Sequence, residues 1–336
     1  MLTKQKKISF LITTHNGEKY IITLLNKVIH LMEFDKNIHE IIILDDDSKD
    51  ETISLIENYI IDKTDFIKLV KFNNKKGIFW NRVKLIEMSE STYIFFIDQD
   101  DDIKFDLIKR FNEIKQDYDI ITVKRTQLID KKYFEEKIYK INSSSLFTSY
   151  MLDKQFSTYI TGIFINKSIY KKTNYYLKNI NIDEIYVYED MALYFLWFSI
   201  ANNICTINSN YIYNRNNKES IINKKQILIE KNNSLKIFNI ILQIYNNLDS
   251  YIKNRIDIKN FFFLLKINLL YYYFIKLNEF NEYKHFYSNL TKYITSNNDI
   301  NIYIYNWENF ARYIKMTNKI FKFIYLLRSK YKKRKL

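Results

Sequence analysis

The sequence predicts an α/β protein whose mostly parallel sheet is flanked by helices. Through the first 125 residues, short apolar runs alternate with segments of helical periodicity. Apolar runs between such segments are typical of buried parallel strands joined by crossover helices. Polar clusters directly follow three of the runs, and ligands of such sheets bind outside the carboxyl ends of the strands. The clusters are therefore expected to meet in one crevice.

The predicted elements follow one another in βαβα order. Helices are expected between the strands, and one of them begins near Ser48 or Asp50, because both residues are good N-caps. Farther along, "YITGIFINK" (159–167) predicts a strand and "EDMALYFLWFSIA" (189–201) a helix. From about residue 218 the pattern is helical. The five strands expected first lie at 8–13, 40–44, 66–72, 93–97 and 119–123.

Composition narrows the function classes. The chain has 336 residues, of which 47% are hydrophobic, and no uncharged apolar run of about 18 residues marks a membrane-spanning helix. Cys205 is the only cysteine, which excludes an intramolecular disulfide and a thiolate metal cluster. The basic N-terminus lacks a following signal-type apolar stretch, so we expect a cytoplasmic protein. The net charge of +14 indicates an anionic partner: nucleic acid, a membrane surface or a phosphorylated substrate.

The C-terminal tail is strongly basic. Residues 321–336 contain seven basic side chains and no acidic one. Two interpretations stay open: a frayed, solvated tail, or an interfacial helix on anionic lipid. The second interpretation would place the protein peripherally on the inner face of the cell membrane.

The stretch "FFIDQDDDI" (95–103) places four carboxylates in five positions behind an apolar run. Like charges this close repel one another, and burying them is costly unless a cation neutralises them. One interpretation is a solvated loop in which Asp101 or Asp102 caps the next helix, and the other is a divalent-metal site. The chain has only three glycines and contains neither a G-x-G-x-x-G turn nor a P-loop. A bound metal is therefore the expected means of neutralising substrate phosphates.

Six segments stand in a specific order: "ISFLITTHNGEKYI", "IIILDDDSKDET", "NKKGIFWNR", "YIFFIDQDDDI", "VYEDMALYFLW" and "YIYNRNNKES". Together, over residues 6–215, they resemble the motifs of the family 2 glycosyltransferases of the bacterial surface-polysaccharide type, which are inverting enzymes of the GT-A fold. The resemblance implies a catalytic domain at 1–217, with a nucleotide-sugar half at about 1–125 and an acceptor half at about 126–217. Residues 218–336 would form a helical C-terminal region that includes the basic tail.

The resemblance also assigns a donor site. Asp98 and Asp100 resemble the Asp-x-Asp pair that holds Mn²⁺ or Mg²⁺, and Asp101 resembles a direct ligand. Such a hard cation takes oxygen ligands, bridges the two phosphates of a nucleotide-sugar and stabilises the charge that develops there. Nucleotide contacts are implied for Thr13 and Asp46 at the base, Arg82 near the base or diphosphate, and Asp100.

The acceptor side is assigned to the "YED" motif. Inversion needs a base that deprotonates the acceptor hydroxyl as it attacks the anomeric carbon. By resemblance Asp190 is this base, and Glu189 supports it or binds the acceptor. The alternative is that Asp190 only caps the helix that follows.

The resemblance implies transfer of a sugar from a UDP-sugar to a hydroxyl of a glycan or lipid-linked glycan, in capsule or lipopolysaccharide synthesis. One alternative is a nucleotidyltransferase of similar sheet fold, which usually needs a glycine-rich loop that is absent here. The other is a non-catalytic, basic nucleic-acid-binding module. Acidic clusters at strand ends would repel phosphate backbones, so no nucleic-acid partner is expected.

Overall fold

The structure of the chain is a computed structural model. It describes residues 6–62, 65–126, 137–140, 159–212, 227–254 and 256. These residues belong to one compact unit, Met1–Phe261. The basic tail and most of "YIYNRNNKES" lie outside the described residues, as does the predicted domain boundary near residue 217, which stays a prediction.

The described residues confirm the predicted fold class. Strands and helices alternate through the first half, and the predicted strands begin or end within a few residues of the observed ones. The strands are β1 (Ile8–Thr14), β2 (Ile38–Asp46), β3 (Ile67–Phe72), β4 (Tyr93–Asp98), β5 (Asp102–Ile103), β6 (Ile120–Thr126), β7 (Lys137–Lys140), β8 (Ile163–Asn166) and β9 (Asn203–Ile212). The helices are α1 (Ile21–Phe34), α2 (Thr52–Ile60), α3 (Ile78–Met88), α4 (Phe105–Glu113), α5 (Lys167–Tyr170), α6 (Thr173–Leu177), α7 (Glu189–Ile200), α8 (Ile227–Asn247) and α9 (Ser250–Lys253).

All these strands form one mixed sheet in the order β3-β2-β1-β4-β8-β6-β9-β5, with β7 paired to β9. The pairs β2–β3, β1–β2, β1–β4 and β6–β9 are parallel. Strand β8 is antiparallel to both of its neighbours, β4 and β6. Strands β1 to β4 and β6 therefore follow the parallel pattern that the sequence predicts, whereas β5, β7 and β8 run in the opposite direction.

Burial explains why these segments take these forms. In α1 the buried residues Ile21, Leu24, Leu25 and Val28 recur at helical spacing, so the helix covers the sheet with one apolar face. Strand β4 is instead buried along its whole apolar run, as expected for a central strand. Helix α7 is apolar all round, and nearly all of its residues are buried.

The strand register brings the polar clusters to one edge of the sheet. Thr13 at the end of β1 is paired with Asp98 at the end of β4, and Thr14 with Asp45 at the end of β2. The helix predicted to begin near Ser48 or Asp50 begins at Thr52, and neither of the two residues is its N-cap. The Ser48 hydroxyl instead donates to the Asp45 carboxylate, and α2 begins later, where the Asp50 carboxylate accepts from the Thr52 N–H at 3.1 Å.

Within the part of the chain that the structure describes, we find no helix that is both long enough and apolar enough to cross a membrane.

Candidate active site

Arg82 joins the end of a central strand to the start of a helix that lies far away in the sequence. Its guanidinium, on α3, is only 3% exposed. Nη2 lies 2.9 Å from Oδ1 of Asp98, at the end of β4, and Nη1 lies 2.7 Å from Oε1 of Glu189, at the start of α7. Nη1 also donates to the carboxylate of Asp190. One buried cation therefore holds the acidic strand end and the "YED" motif together.

The charges in this cluster do not balance, since three carboxylates face one guanidinium. The pKa of Glu189 is raised to about 8, mainly because burial disfavours its charged form; the Arg82 charge opposes this shift, and the neighbouring Asp190 adds to it. Burial also disfavours the charge on Arg82, but the combined field of the three carboxylates outweighs it and raises the Arg82 pKa above its ordinary value. Arg82 is thus permanently charged, and Glu189 is the carboxyl that most readily holds a proton.

The start of α3 is fixed against the segment that leads into α7. Gly77 has a φ of +97°, and a Cβ at this position would lie 2.8 Å from the backbone oxygen of Ile185. The N–H of Phe79 donates to that same oxygen at 3.3 Å. A glycine is needed here because both the backbone angle and the close approach exclude a side chain. This contact holds the start of α3, which carries Arg82, against the segment that leads to Glu189.

Asp46 supports the same turn. Its buried carboxylate accepts from the backbone N–H groups of Lys76 at 2.8 Å and Gly77 at 3.3 Å. Thr13 is half-buried at the neighbouring strand end. The nucleotide contacts of both residues stay predictions, and the structure adds that Asp46 holds the loop before α3.

The four carboxylates of "DQDDD" have separate surroundings. The Asp101 carboxylate accepts from the Tyr211 hydroxyl, on β9, at 2.8 Å, whereas Asp102 pairs with Lys27 at 2.6 Å. Asp100 is partly exposed. Helix α4 begins at Phe105 without a side-chain cap, so capping by Asp101 or Asp102 is wrong.

Helix capping is also wrong for Asp190. Helix α7 begins one residue earlier, at Glu189, and the cap position is Tyr188, which has a left-handed φ of 69° and makes no side-chain cap hydrogen bond. The Asp190 carboxylate turns to Arg82 instead. The helix start thus aims two adjacent carboxylates at one guanidinium.

The predicted metal ligands Asp98, Asp100 and Asp101 do not form a cage by themselves. Among the residues described here, no group of three or more His, Cys, Asp or Glu side chains is arranged to hold a metal ion. Asp98 already pairs with Arg82, and Asp101 with Tyr211. The oxygen-only donor set does fit a cation held by one or two carboxylates and completed by substrate phosphates, which is the usual arrangement of Mg²⁺.

Two residues at this edge were missed by the sequence reasoning. Gln99 accepts from the Thr14 hydroxyl at 2.6 Å and donates to the His15 carbonyl at 3.3 Å, so it ties the ends of β1 and β4 together. His15 Nδ1 donates to the Asp46 carbonyl at 2.8 Å, and Nε2 lies 3.1 Å from Nζ of Lys75. Burial and the Lys75 charge lower the pKa of His15, which favours neutral imidazole. The sequence did offer one indication of both residues: His15 directly follows β1 and Gln99 directly follows β4.

Comparison with known families bears directly on this site. The model of Glycosyl transferase family 2 matches residues 9–177. The chain belongs to this family. The match includes β1 to β4 and the Asp-x-Asp strand end, and it stops before the Glu189–Asp190 pair. The prediction of the family from the six ordered motifs is confirmed.

Individual relatives agree with this assignment. The poly(ribitol-phosphate) β-N-acetylglucosaminyltransferase TarS of Staphylococcus aureus, strains Mu50 and MW2, is 31% identical over 103 residues. Those residues are 31% of this chain and only 18% of either relative, so the chain spans a small part of their length. The crystal structure of S. aureus TarS residues 1–349 in complex with UDP-GlcNAc has a TM-score of 0.51 at 18% identity and covers 72% of each chain. This likeness confirms the GT-A fold.

Proposed function

We propose that this glycosyltransferase moves a sugar from a UDP-sugar to a hydroxyl of a glycan acceptor with inversion at the anomeric carbon. The contact of Arg82 with Asp98 and with the Glu189–Asp190 pair carries this proposal. It places the strand end expected to hold the donor diphosphate beside the carboxylates expected to receive the acceptor proton. Because the named relative and the matched crystal structure both concern N-acetylglucosamine, UDP-GlcNAc is the first donor to test.

Exposure distinguishes the roles of the two carboxylates. The Asp190 side chain is 16% exposed and the Glu189 side chain 5%. Asp190 is therefore the one that an acceptor hydroxyl can approach, and it would take the hydroxyl proton on a carboxylate oxygen as the oxygen attacks. Glu189 stays behind it as a positioning residue. Arg82 holds both carboxylates in place and keeps the Asp190 side chain from turning away.

A divalent metal is part of the proposal. Asp98, Asp100 and Asp101 would hold Mn²⁺ or Mg²⁺ together with the donor diphosphate. When bound, the ion would neutralise the charge that collects on the leaving nucleotide diphosphate. The oxygen-only donor set at the end of β4 supports this assignment.

The proposal extends to the biological setting. The named relative acts on poly(ribitol-phosphate). Together with the resemblance of the motifs to surface-polysaccharide enzymes, this favours a role in surface polysaccharide synthesis such as capsule or lipopolysaccharide. A cytoplasmic protein whose basic tail contacts the inner face of the membrane would meet a lipid-linked acceptor there. The tail and the net charge of +14 support such a position.

Incubation of the purified chain with a panel of UDP-sugars tests the function. We expect slow release of UDP from at least one donor in Mn²⁺ or Mg²⁺, faster release when an acceptor glycan is added, and none in excess chelator. Absence of UDP release from every donor in the presence of metal would contradict the proposal. Formation of pyrophosphate from a nucleoside triphosphate and a sugar phosphate would identify a nucleotidyltransferase instead.

A further inference from the structure

Helix α3 has a second functional face. Arg82 lies on its buried side, but Trp80, Val83, Lys84 and Glu87 recur at helical spacing on another side. These residues form one wall of an open groove with a volume of about 530 Å³. The opposite wall consists of α6 and the loop at 180–183 that precedes the "YED" motif. This volume lies within the range of about 300–1,000 Å³ that is typical of small-molecule sites.

The lining has the composition of a sugar site. Trp80 is half-exposed, and its ring contacts Phe72 edge-on with the centroids 4.8 Å apart. Trp80 is part of the groove wall, and the ammonium of Lys76 lies 6.0 Å from its ring centroid. An aromatic side chain in this wall suits contact with the apolar C–H groups of a sugar ring. Beside it, Asn174 donates to Glu87 at 2.8 Å, and the Asp183 carboxylate makes no hydrogen bond or ion pair to any described residue. Such oxygens and amides are partners for sugar hydroxyls.

We propose that this groove, lined by Trp80, Lys84, Glu87, Asn174 and Asp183, binds a neutral sugar unit of the acceptor glycan away from the reacting hydroxyl. This inference rests on the proposed function, since it assumes that the acceptor is a glycan chain. Both walls belong to segments that also carry active-site residues: Trp80 lies on the same helix as Arg82, on a different face, and the loop at 180–183 precedes α7 in the sequence.

The charged side chains of the groove favour a neutral sugar unit over one that carries a phosphate. Two carboxylates, Glu87 and Asp183, face one ammonium group in the groove. The ammonium of Lys84 already pairs with Glu87 at 2.8 Å. The unpaired carboxylate of Asp183 would repel a polyol phosphate but would accept hydrogen bonds from sugar hydroxyls.

Direct binding of saccharides tests the groove separately from catalysis. Saturation-transfer NMR with a panel of neutral mono- and disaccharides, without any UDP-sugar, should detect binding to the full-length chain. Trp80→Ala and Asp183→Ala should each weaken the tightest binder at least about fivefold, and Trp80→Phe should retain most of the affinity. Tyr175→Ala is the matched control, because Tyr175 is an exposed aromatic residue of α6 outside the groove lining and its loss should change nothing.

The outcomes separate this inference from the proposed function. UDP release from the donor alone should be unchanged in Trp80→Ala and Asp183→Ala, whereas the KM for a glycan acceptor should rise. If no saccharide of the panel binds, or if the groove variants bind as well as Tyr175→Ala, the groove is not a sugar site even if the enzyme is active. If saccharides bind as expected but no UDP-sugar is consumed, the groove assignment holds and the proposed reaction fails.

Discussion

The guanidinium of Arg82 donates a hydrogen bond to the carboxylate of Asp190, 108 positions farther along the chain. The same guanidinium reaches Asp98 and Glu189, so it connects the two halves of the candidate site. A buried arginine in this position cannot be exchanged for a neutral residue without leaving the partly buried carboxylates of Asp98 and Asp190 without their cation. Stability and activity are therefore expected to depend on Arg82 together.

Replacing Arg82 by Met, which has a similar length but no charge, should destabilise the protein. Loss of one partner of a fully buried ion pair costs about 3–5 kcal/mol. Because Asp98 and Asp190 are partly exposed, we expect a loss below this range but above that of a surface pair. Urea unfolding followed by circular dichroism measures the change. Arg110→Met is the matched control: Arg110 is 42% exposed and pairs only with surface carboxylates among the described residues, so we expect a loss of about 0–1 kcal/mol. Equal losses in the two variants would show that the buried cluster is not a stabilising unit.

Glu189 should make stability depend on pH in an unusual direction. Its folded-state pKa is raised from 4.5 to about 8, so between these values the folded protein holds a proton that the unfolded chain has lost. The free energy of unfolding should therefore fall as pH rises from about 4.5 to about 8, and level off above. Most paired carboxylates have a lowered pKa in the folded state, and their contribution to the free energy of unfolding rises with pH. Urea midpoints across this range measure the slope.

Glu189→Gln is the control for this pH effect. Glutamine keeps the size of glutamate and cannot ionise, so the fall in stability between about pH 4.5 and 8 should be smaller in the variant than in the wild type. If the two proteins have parallel stability curves across this range, the proton is not held by Glu189 in the folded state.

The predictable part of the fold is the part whose elements carry local signals. The sequences of β1, β2 and β4 are apolar runs, and a polar cluster follows each of them. The crossover helices between these strands then make their pairing parallel. The antiparallel direction of β8 had no such signal, because strand direction after a long connection is decided by tertiary pairing. Neither of the alternative cap residues Ser48 and Asp50 is the N-cap of α2, and at Ser48 the reason is a contact in space: its hydroxyl donates to the Asp45 carboxylate.

The candidate site shows the same limit. Asp98, Glu189 and Asp190 were identified one motif at a time, and each motif had its own predicted role. That Arg82 would bind all three could not be derived from spacing, since Asp190 lies 108 positions after Arg82 and the contact depends on how Gly77 places α3. Gln99 and His15 were missed because their hydrogen bonds join two strand ends whose register is known only after folding.

Asp101 and its neighbour Asp102 offer a matched test of the metal site. Asp101→Asn should weaken the affinity for UDP in the presence of Mn²⁺, because an amide oxygen is a poorer ligand for a hard cation than a carboxylate. Asp102→Asn should not, since Asp102 pairs with Lys27 at the surface. Isothermal titration with UDP, with and without Mn²⁺, measures both. A metal-dependent affinity that survives in Asp101→Asn would remove this residue from the metal site.

Deletion of residues 321–336 tests the membrane contact proposed for the tail. Each basic residue near an anionic surface contributes about 1 kcal/mol, and the effect decays within a Debye length. The deletion should therefore reduce co-sedimentation with vesicles containing phosphatidylglycerol at low salt, while UDP release stays unchanged. Equal co-sedimentation of the two proteins would mean that the tail does not bind lipid.

The proposed base is tested by Asp190→Asn. Asparagine keeps the size of the side chain, but it cannot take the proton of the acceptor hydroxyl at neutral pH. Loss of a general base typically lowers the rate by about 10²–10⁴-fold, which corresponds to roughly 3–5 kcal/mol of barrier. Affinity for UDP should stay close to that of the wild type, because the nucleotide is expected at the strand ends near Asp46 and Asp100. Transfer rates and UDP titrations of the same preparation measure this split.

Glu189→Gln completes the test of the base, since the two carboxylates share one guanidinium. If Glu189 only positions Asp190, its replacement should lower the transfer rate far less than Asp190→Asn does, because the buried glutamine still accepts from Arg82. Comparable losses in both variants would mean that the pair acts as a unit. Near-normal turnover in Asp190→Asn, with loss confined to Glu189→Gln, would identify Glu189 as the base. The greater exposure of Asp190 would then not be needed for catalysis.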